Sequence, residues 1–295
     1  MSLTERLFPL MRRRLRVLLS PQQLLCVVRH GTRLVEGSAQ QIAVAGAGSH
    51  WQASVDALRE LLQQPAIAAA RLPLEISLSG RWSQLVLAPW SDALLSEPSA
   101  GRFLQTQLAA LYGDNARGWS VVGDDAPYGH TRLVCGVDST LLQALKDVAA
   151  ECGHACRVIE PLLGTALRTM EADAPCGALA LVEPGRITMA ALRDKRIVAI
   201  QSQPASEAWR LELTQAWQRW TLRAPELAGI ATVAVTDLSA LSPALALAPS
   251  AALHLVPEAL PSRFVLSANP FGERATVTGS AAQQPAPAAT PEVAA

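Results

Sequence analysis

One pattern occurs twice in this chain and limits what it can fold into: three apolar, strand-like runs joined by turns of about three residues, then a helix. The first copy runs Leu15–Leu19, Gln23–Val28 and Arg33–Ala45, with turns at Ser20-Pro21-Gln22 and His30-Gly31-Thr32. The second runs Ala178–Val182, Arg186–Leu192 and Arg196–Gln201, with turns at Glu183-Pro184-Gly185 and Arg193-Asp194-Lys195. Pro, Gly, Asp and Ser are the residues that reverse a chain sharply, and connections this short impose antiparallel pairing. A meander handing over to a helix in two separate places predicts a duplicated α/β domain. Whether a cleft between the copies could hold a nucleotide then depends on the turn residues.

The 295 residues are half apolar, enough for a core in each of about two domains. Only 17% are charged and the formal net charge is zero, which argues against the electrostatic footprint of a nucleic-acid-binding protein. The five cysteines, Cys26, Cys135, Cys152, Cys156 and Cys176, are odd in number and show no pairing framework, as expected in a reducing compartment. The start, Met1–Arg16, is rich in arginine but lacks the uninterrupted apolar core of a secretory signal. It reads either as an interfacial amphipathic segment, weakened by Pro9, or as a solvated lead into the first strand. Leu241–Leu260 is apolar but broken by Pro243, Pro249 and Pro257, so it falls short of the roughly 20 apolar residues of a membrane span. These features predict a soluble cytoplasmic protein.

Between the meanders, Ser49 is placed to cap a helix through Gln63, with Pro65 stopping it; Leu74–Leu78 and Trp82–Trp90 read as strands. A helix from near Glu97 ends at Tyr112-Gly113, and Trp119–Val122 with Thr131–Val137 form a β-pair. Ser139 starts a helix that Gly153 terminates in a left-handed conformation, before a strand at Cys156–Ile159 and a short helix at Leu162–Met170. Ser206 caps a helix with an apolar stripe of Trp209, Leu213, Trp217 and Trp220. Ile230–Val235 is a strand; Leu253–Val256 and Phe264–Leu266 are weaker candidates. Beyond about Ala281 the Ala/Pro-rich composition predicts disorder.

Four motifs invite chemistry. Arg29-His30-Gly31-Thr32-Arg33 matches the signature of histidine phosphatases, with His30 as the nucleophile attacking phosphorus and Arg29 and Arg33 holding the phosphoryl oxygens. That reaction needs a second histidine, usually followed by Gly or Asp, and none of His50, His130, His154 or His254 is. The competing reading makes His30-Gly31 a hairpin turn. Ala45-Gly46-Ala47-Gly48-Ser49 resembles part of a dinucleotide-binding fingerprint, but Trp51 stands where the third glycine belongs. Cys152-Gly153-His154-Ala155-Cys156 offers three zinc-type ligands without a fourth, and buried thiols beside a turn explain it more simply. The tryptophans at helical spacing read as core rather than as a ligand stack.

The paired strand–strand–strand–helix units, together with Arg16-Val17-Leu18-Leu19-Ser20-Pro21, Leu87-Ala88-Pro89-Trp90-Ser91-Asp92, Glu151-Cys152-Gly153, Ile159-Glu160-Pro161 and Ala180-Leu181-Val182-Glu183-Pro184-Gly185, resemble PilM-type type IV pilus assembly proteins and GspL-type cytoplasmic domains over about residues 14–266. The resemblance implies a duplicated ribonuclease H-like, actin-like α/β fold. Its parts would be a basic segment at 1–13, a first half with an inserted subdomain at 14–161, a second half at 162–270 and a tail at 271–295. In that superfamily the two meander turns bind phosphate, with an Asp ending each first strand and Mg²⁺ bridging. Here the turns read Ser20-Pro21-Gln22 and Glu183-Pro184-Gly185: each proline removes an N–H donor, and neither strand ends in Asp. The expectation is a degenerate site, with no catalytic, cofactor or metal residues assigned; ATP and Mg²⁺ are disfavoured and Glu183 alone could hold a metal through water. The resemblance also implies a non-catalytic scaffold for pilus or secretion-platform assembly that binds a peptide or cytoplasmic domain of an inner-membrane partner. Its membrane association would be indirect, on the inner membrane through that partner, with self-association left open. The alternative is a phosphohydrolase using His30.

Overall fold

A computed structural model describes residues 13–44, 50–170, 177–239 and 259–272. The first lobe opens with β1 (Arg13–Leu19) and β2 (Gln23–His30), then β3 (Arg33–Leu34) and β4 (Gln40–Ala43). It continues through α1 (Gln52–Gln63), α2 (Pro65–Ala70) and β5 (Leu74–Leu78). An insertion follows: β6 (Ser83–Ala88), α3 (Ser99–Tyr112), β7 (Trp119–Gly123) and β8 (Arg132–Asp138). The chain returns through α4 (Ser139–Glu151) to β9 (Cys156–Pro161). After α5 (Leu162–Thr169), the second lobe contains β10 (Ala178–Glu183), β11 (Arg186–Arg193), β12 (Arg196–Pro204), α6 (Trp209–Arg223), β13 (Val233–Asp237) and β14 (Phe264–Leu266).

The two main sheets share one topology. Their strand orders are β3-β2-β1-β5-β9, with β4 also on β2, and β12-β11-β10-β13-β14. In each, the meander is antiparallel and two further strands join in parallel beside its first strand. The inserted subdomain carries its own antiparallel sheet, β6-β8-β7. The protein is therefore a mixed α/β molecule built on a duplicated unit, as the repeat predicts.

Alternation along β1 explains how the lobes are built. Leu15, Val17 and Leu19 face a core completed by Leu58 and Leu61 of α1 and Leu141 and Leu145 of α4. Leu18 points the other way, into a core shared with Leu162 and Leu163 of α5 and Leu179 and Leu181 of β10. A strand buried on both faces reads as a continuous apolar run, and the second of these cores joins the lobes. In the second lobe Trp209, Trp217 and Trp220 of α6 cover β10 as core, with Trp217 and Trp220 edge-to-face at 5.6 Å. Next to Leu74 and Ile76, Glu75 takes the opposite face of β5. It accepts hydrogen bonds from Arg14 at 2.7 Å and Arg16 at 2.8 Å. Burial pushes the Glu75 carboxyl up, but these bonds and the two arginine charges outweigh it and hold it below its ordinary value.

Several local expectations need correction. The third run of the first meander is not continuous. The chain turns at Gly37, in the left-handed region at φ +71°, and Ser38 Oγ accepts from Val28 N at 3.0 Å, which divides the run into β3 and β4. Pro65 ends α1 but also opens α2, because its fixed φ suits a first helical position. The strand expected from Ile230 begins at Val233. The N-cap position of α6 is Ala208; Ser206 instead accepts from Ala208 N at 3.1 Å, while its own N–H donates to Glu212 at 2.8 Å. Gly153 does take the left-handed conformation expected, at φ +74°. The Ser49 cap, the Leu253–Val256 strand, Cys176, most of the basic start and nearly all of the tail lie outside the described residues. Among the described residues, no helix is long and apolar enough to cross a membrane.

Candidate functional site

The shared topology brings the first turn of each meander to the same side of the molecule, facing the other lobe. In the first lobe that turn is closed by its own side chain. Ser20 Oγ donates to Gln23 O at 2.8 Å and accepts from Gln23 N at 3.2 Å, a local bond that replaces an open backbone donor. Ser20 O accepts from Ser54 Oγ of α1 at 3.0 Å, and Gln23 Nε2 reaches across the lobes to Leu238 O at 3.0 Å.

In the second lobe, Glu183 at the end of β10 is only 3% exposed. Its carboxylate does not face open space. It accepts the N–H of Gly80, just beyond β5 in the first lobe, at 3.1 and 3.3 Å. Burial pushes its carboxyl above the ordinary value, against the hydrogen bonds of Ser79 and Gly80 and the charge of Arg186. The approach is close: a Cβ at position 80 would lie 3.0 Å from Glu183 Oε2 and 3.3 Å from Arg186 Nε, so these side chains would have to give by a few tenths of an ångström. Glu183 thus clasps the two lobes together.

Above this clasp a cavity of about 450 Å³ opens between the turns, lined by Pro21, Gln22, Arg81, Pro184, Gly185 and Arg186. Both prolines lack an N–H. Among the described residues, no group of three or more His, Cys, Asp or Glu side chains is placed to hold a metal ion.

A second cavity, of about 320 Å³, lies where the inserted subdomain meets the first lobe. Its floor is the inner face of the small sheet, with Leu85, Val122, Leu133 and Cys135; α5 supplies Leu163 and Leu167 opposite. Asp124 and Glu160 stand at its edge, the first paired with Arg196 at 3.3 Å and the second with Arg168. Burial raises the Cys135 thiol to about 12, so it stays protonated and is no nucleophile at neutral pH. This is an apolar groove with charged lips, a surface for side chains rather than for bond-making.

The other motifs fall elsewhere. His30 is exposed and pairs with Arg33 across the hairpin turn at Gly31, φ +62°, while Arg29 donates to Thr32 O. The remaining described histidines are otherwise placed: His154 Nδ1 bonds Leu72 O at 2.9 Å, His50 stacks on Trp51, and His130 sits in a turn after Pro127. Cys152 and Cys156 flank the end of α4, and burial raises both thiols. The Ala45–Ser49 motif lies outside the described residues.

No protein-family model matches the chain, and no curated protein matches it in sequence. Solved structures do. The cytoplasmic domain of EpsL, an inner-membrane component of the type II secretion system of Vibrio cholerae, is 18% identical over 88% of this chain and 91% of its own, with a TM-score of 0.51. A Bacteroides thetaiotaomicron protein described as having an actin-like ATPase fold is 12% identical over 80% of this chain and 86% of its own, with a TM-score of 0.51. The PilM–PilN type IV pilus biogenesis complex is 11% identical over 76% of this chain and 80% of that one, with a TM-score of 0.56.

This chain has an actin-like fold.

Within that actin-like fold, the sequence pattern located Glu183 and both proline turns but not what they touch. Gly80, Ser79, Gln23 and Arg81 carried no motif; their one signal was position, Gly80 standing just after a strand end. The apolar groove was legible only as Leu85 and Leu87 sharing the second face of a strand, and of these Leu85 lines it.

Proposed function

We propose that this actin-like protein is a non-catalytic assembly component of a pilus or type II secretion platform. It works on the cytoplasmic side of the inner membrane and holds a peptide or cytoplasmic segment of a membrane partner. The observation that carries the reading is the contrast between the two cavities. The cleft between the meander turns is clasped by Glu183 on Gly80 N–H, and Ser20 spends its hydroxyl within its own turn. The second groove is open and apolar, sized for a few buried side chains. The fold shared with the EpsL cytoplasmic domain and with the PilM–PilN complex supports a place in such a machine.

The experiment is co-purification with the cytoplasmic segments of single-span proteins encoded beside the gene. Capture is expected, and Leu167→Asp, which puts a charge in the groove, should abolish it while leaving the circular dichroism unchanged. Normal piliation and secretion in a deletion strain, together with no capture, would overturn the assembly role. Release of phosphate from ATP with Mg²⁺, lost in Glu183→Ala, would overturn the non-catalytic part.

A further inference from the structure

The stretch Arg29-His30-Gly31-Thr32-Arg33 lines neither cavity, but strand register gathers other basic residues around it. Arg13 stands opposite His30, His30 opposite Arg33, and Arg14 opposite Arg29. Facing side chains on paired strands lie about 5 Å apart, and like charges there repel. Three such basic-on-basic pairs sit at one end of one sheet, in a chain whose formal net charge is zero. Arg13, His30 and Arg33 are exposed, and none of Arg13, Arg29 and Arg33 forms an ion pair among the described residues. Burial and the charges of Arg16 and Arg168 push the Arg29 guanidinium below its ordinary value, against the pull of Glu75. The strands β5 and β9 start at the same end as β1 and bring exposed Arg71 and Arg157. Two carboxylates of this end are already engaged, Glu75 with Arg14 and Arg16, and Glu151 with Arg59. Repelling cations gathered at one tip work against stability, and departures of this kind fall at functional surfaces.

We propose that this basic tip docks on an anionic bilayer, so that the first lobe touches the membrane surface directly. The cytoplasmic leaflet carries a negative surface potential, and each Lys or Arg held against it adds to binding. Arg13, His30 and Arg33 leave one face of the sheet end and Arg29 the other, a spread that suits a broad surface rather than one extended segment. The sequence leading into β1 adds Leu7, Phe8, Leu10 and Met11 between Arg6 and Arg12, the mixture of apolar and cationic side chains that a bilayer interface accommodates. The tip lies at the far end of β1 from the turn cavity and needs neither the apolar groove nor a protein partner. It therefore goes beyond the assembly reading and does not rest on it.

The test is co-sedimentation of the full purified chain with vesicles of phosphatidylcholine alone and of equal parts phosphatidylcholine and phosphatidylglycerol. Binding to the anionic vesicles in low salt is expected, with little to the neutral ones, and high salt should weaken it. The double variant Arg13→Gln/Arg33→Gln, at two exposed positions, should lower the partition about 25-fold, about fivefold for each charge removed. Arg102→Gln/Arg223→Gln removes the same charge from exposed positions of α3 and α6 and should bind like wild type, with circular dichroism checking that both variants fold. Equal binding to both vesicles, binding to neither, or an equal loss in the control pair overturns the proposal. So does capture of polyglutamate, lost in Arg13→Gln/Arg33→Gln, without vesicle binding, which would give the surface to an acidic protein.

Discussion

Glu183→Gln keeps an acceptor for the Gly80 N–H and removes only the ionisable group, so it isolates what the buried carboxyl contributes to the clasp between the lobes. Burial raises the folded-state pKa of Glu183 above its unfolded value. The folded state then binds the proton more tightly, and the associated stability is fully present below the unfolded pKa and lost as pH rises through the folded one. Glutamine has no such dependence. The stability difference should therefore move in favour of Glu183→Gln as pH climbs above the ordinary carboxylate range, with a slope of at most about 1.4 kcal/mol per pH unit for one proton. Glu183→Ala behaves differently, because it leaves the Gly80 N–H without its acceptor, at a cost of about 1–3 kcal/mol at the acid end where the native carboxyl is neutral. Urea denaturation followed by tryptophan fluorescence between pH 4 and 8 reads all three proteins. A wild-type to Gln difference that stays flat across that range would refute the argument, as would an alanine variant as stable as glutamine at pH 4.

Two further outcomes follow from packing and charge elsewhere. Glu75→Ala leaves Arg16, whose side chain is 12% exposed, without its partner; it should cost about 3 kcal/mol at pH 7 by urea denaturation. Since the Glu75 carboxyl is held below its ordinary value, that contribution is present above the unfolded pKa and lost as pH falls through the folded one, so the gap to wild type should narrow as pH drops below the ordinary carboxylate range. Gly136→Ala would place a Cβ 2.7 Å from Trp119 and 2.8 Å from Leu108, overpacking the inserted subdomain by about 1–3 kcal/mol; a lowered urea midpoint with altered Trp119 emission is the expected result.

The sequence by itself determined the repeat, and with it the fold. Alternation and turn chemistry are local, and apolar runs such as Val17–Leu19 at the end of β1 and Ala178–Val182 in β10 satisfy both faces by burial between helices and the other lobe. It also determined the composition of the two turns: Pro21 and Pro184 cannot donate whatever the tertiary structure does. Where the sequence reading slipped, a local side chain decided, as when Ser38 and Gly37 broke the third run of the first meander and Ser206 bonded Ala208 N from outside the N-cap position. Only the tertiary structure decided what Glu183 does. Read along the chain it is a carboxylate at the end of a strand, free to meet a metal through water; in space its partner is Gly80, 103 residues away. That pairing is long-range and uses a backbone N–H that every residue but proline carries, so no spacing or motif announces it. The same holds for the basic residues that register brings face to face at one end of the first sheet and for the apolar groove, both of which exist only once the strands have paired and the sheets have closed against each other.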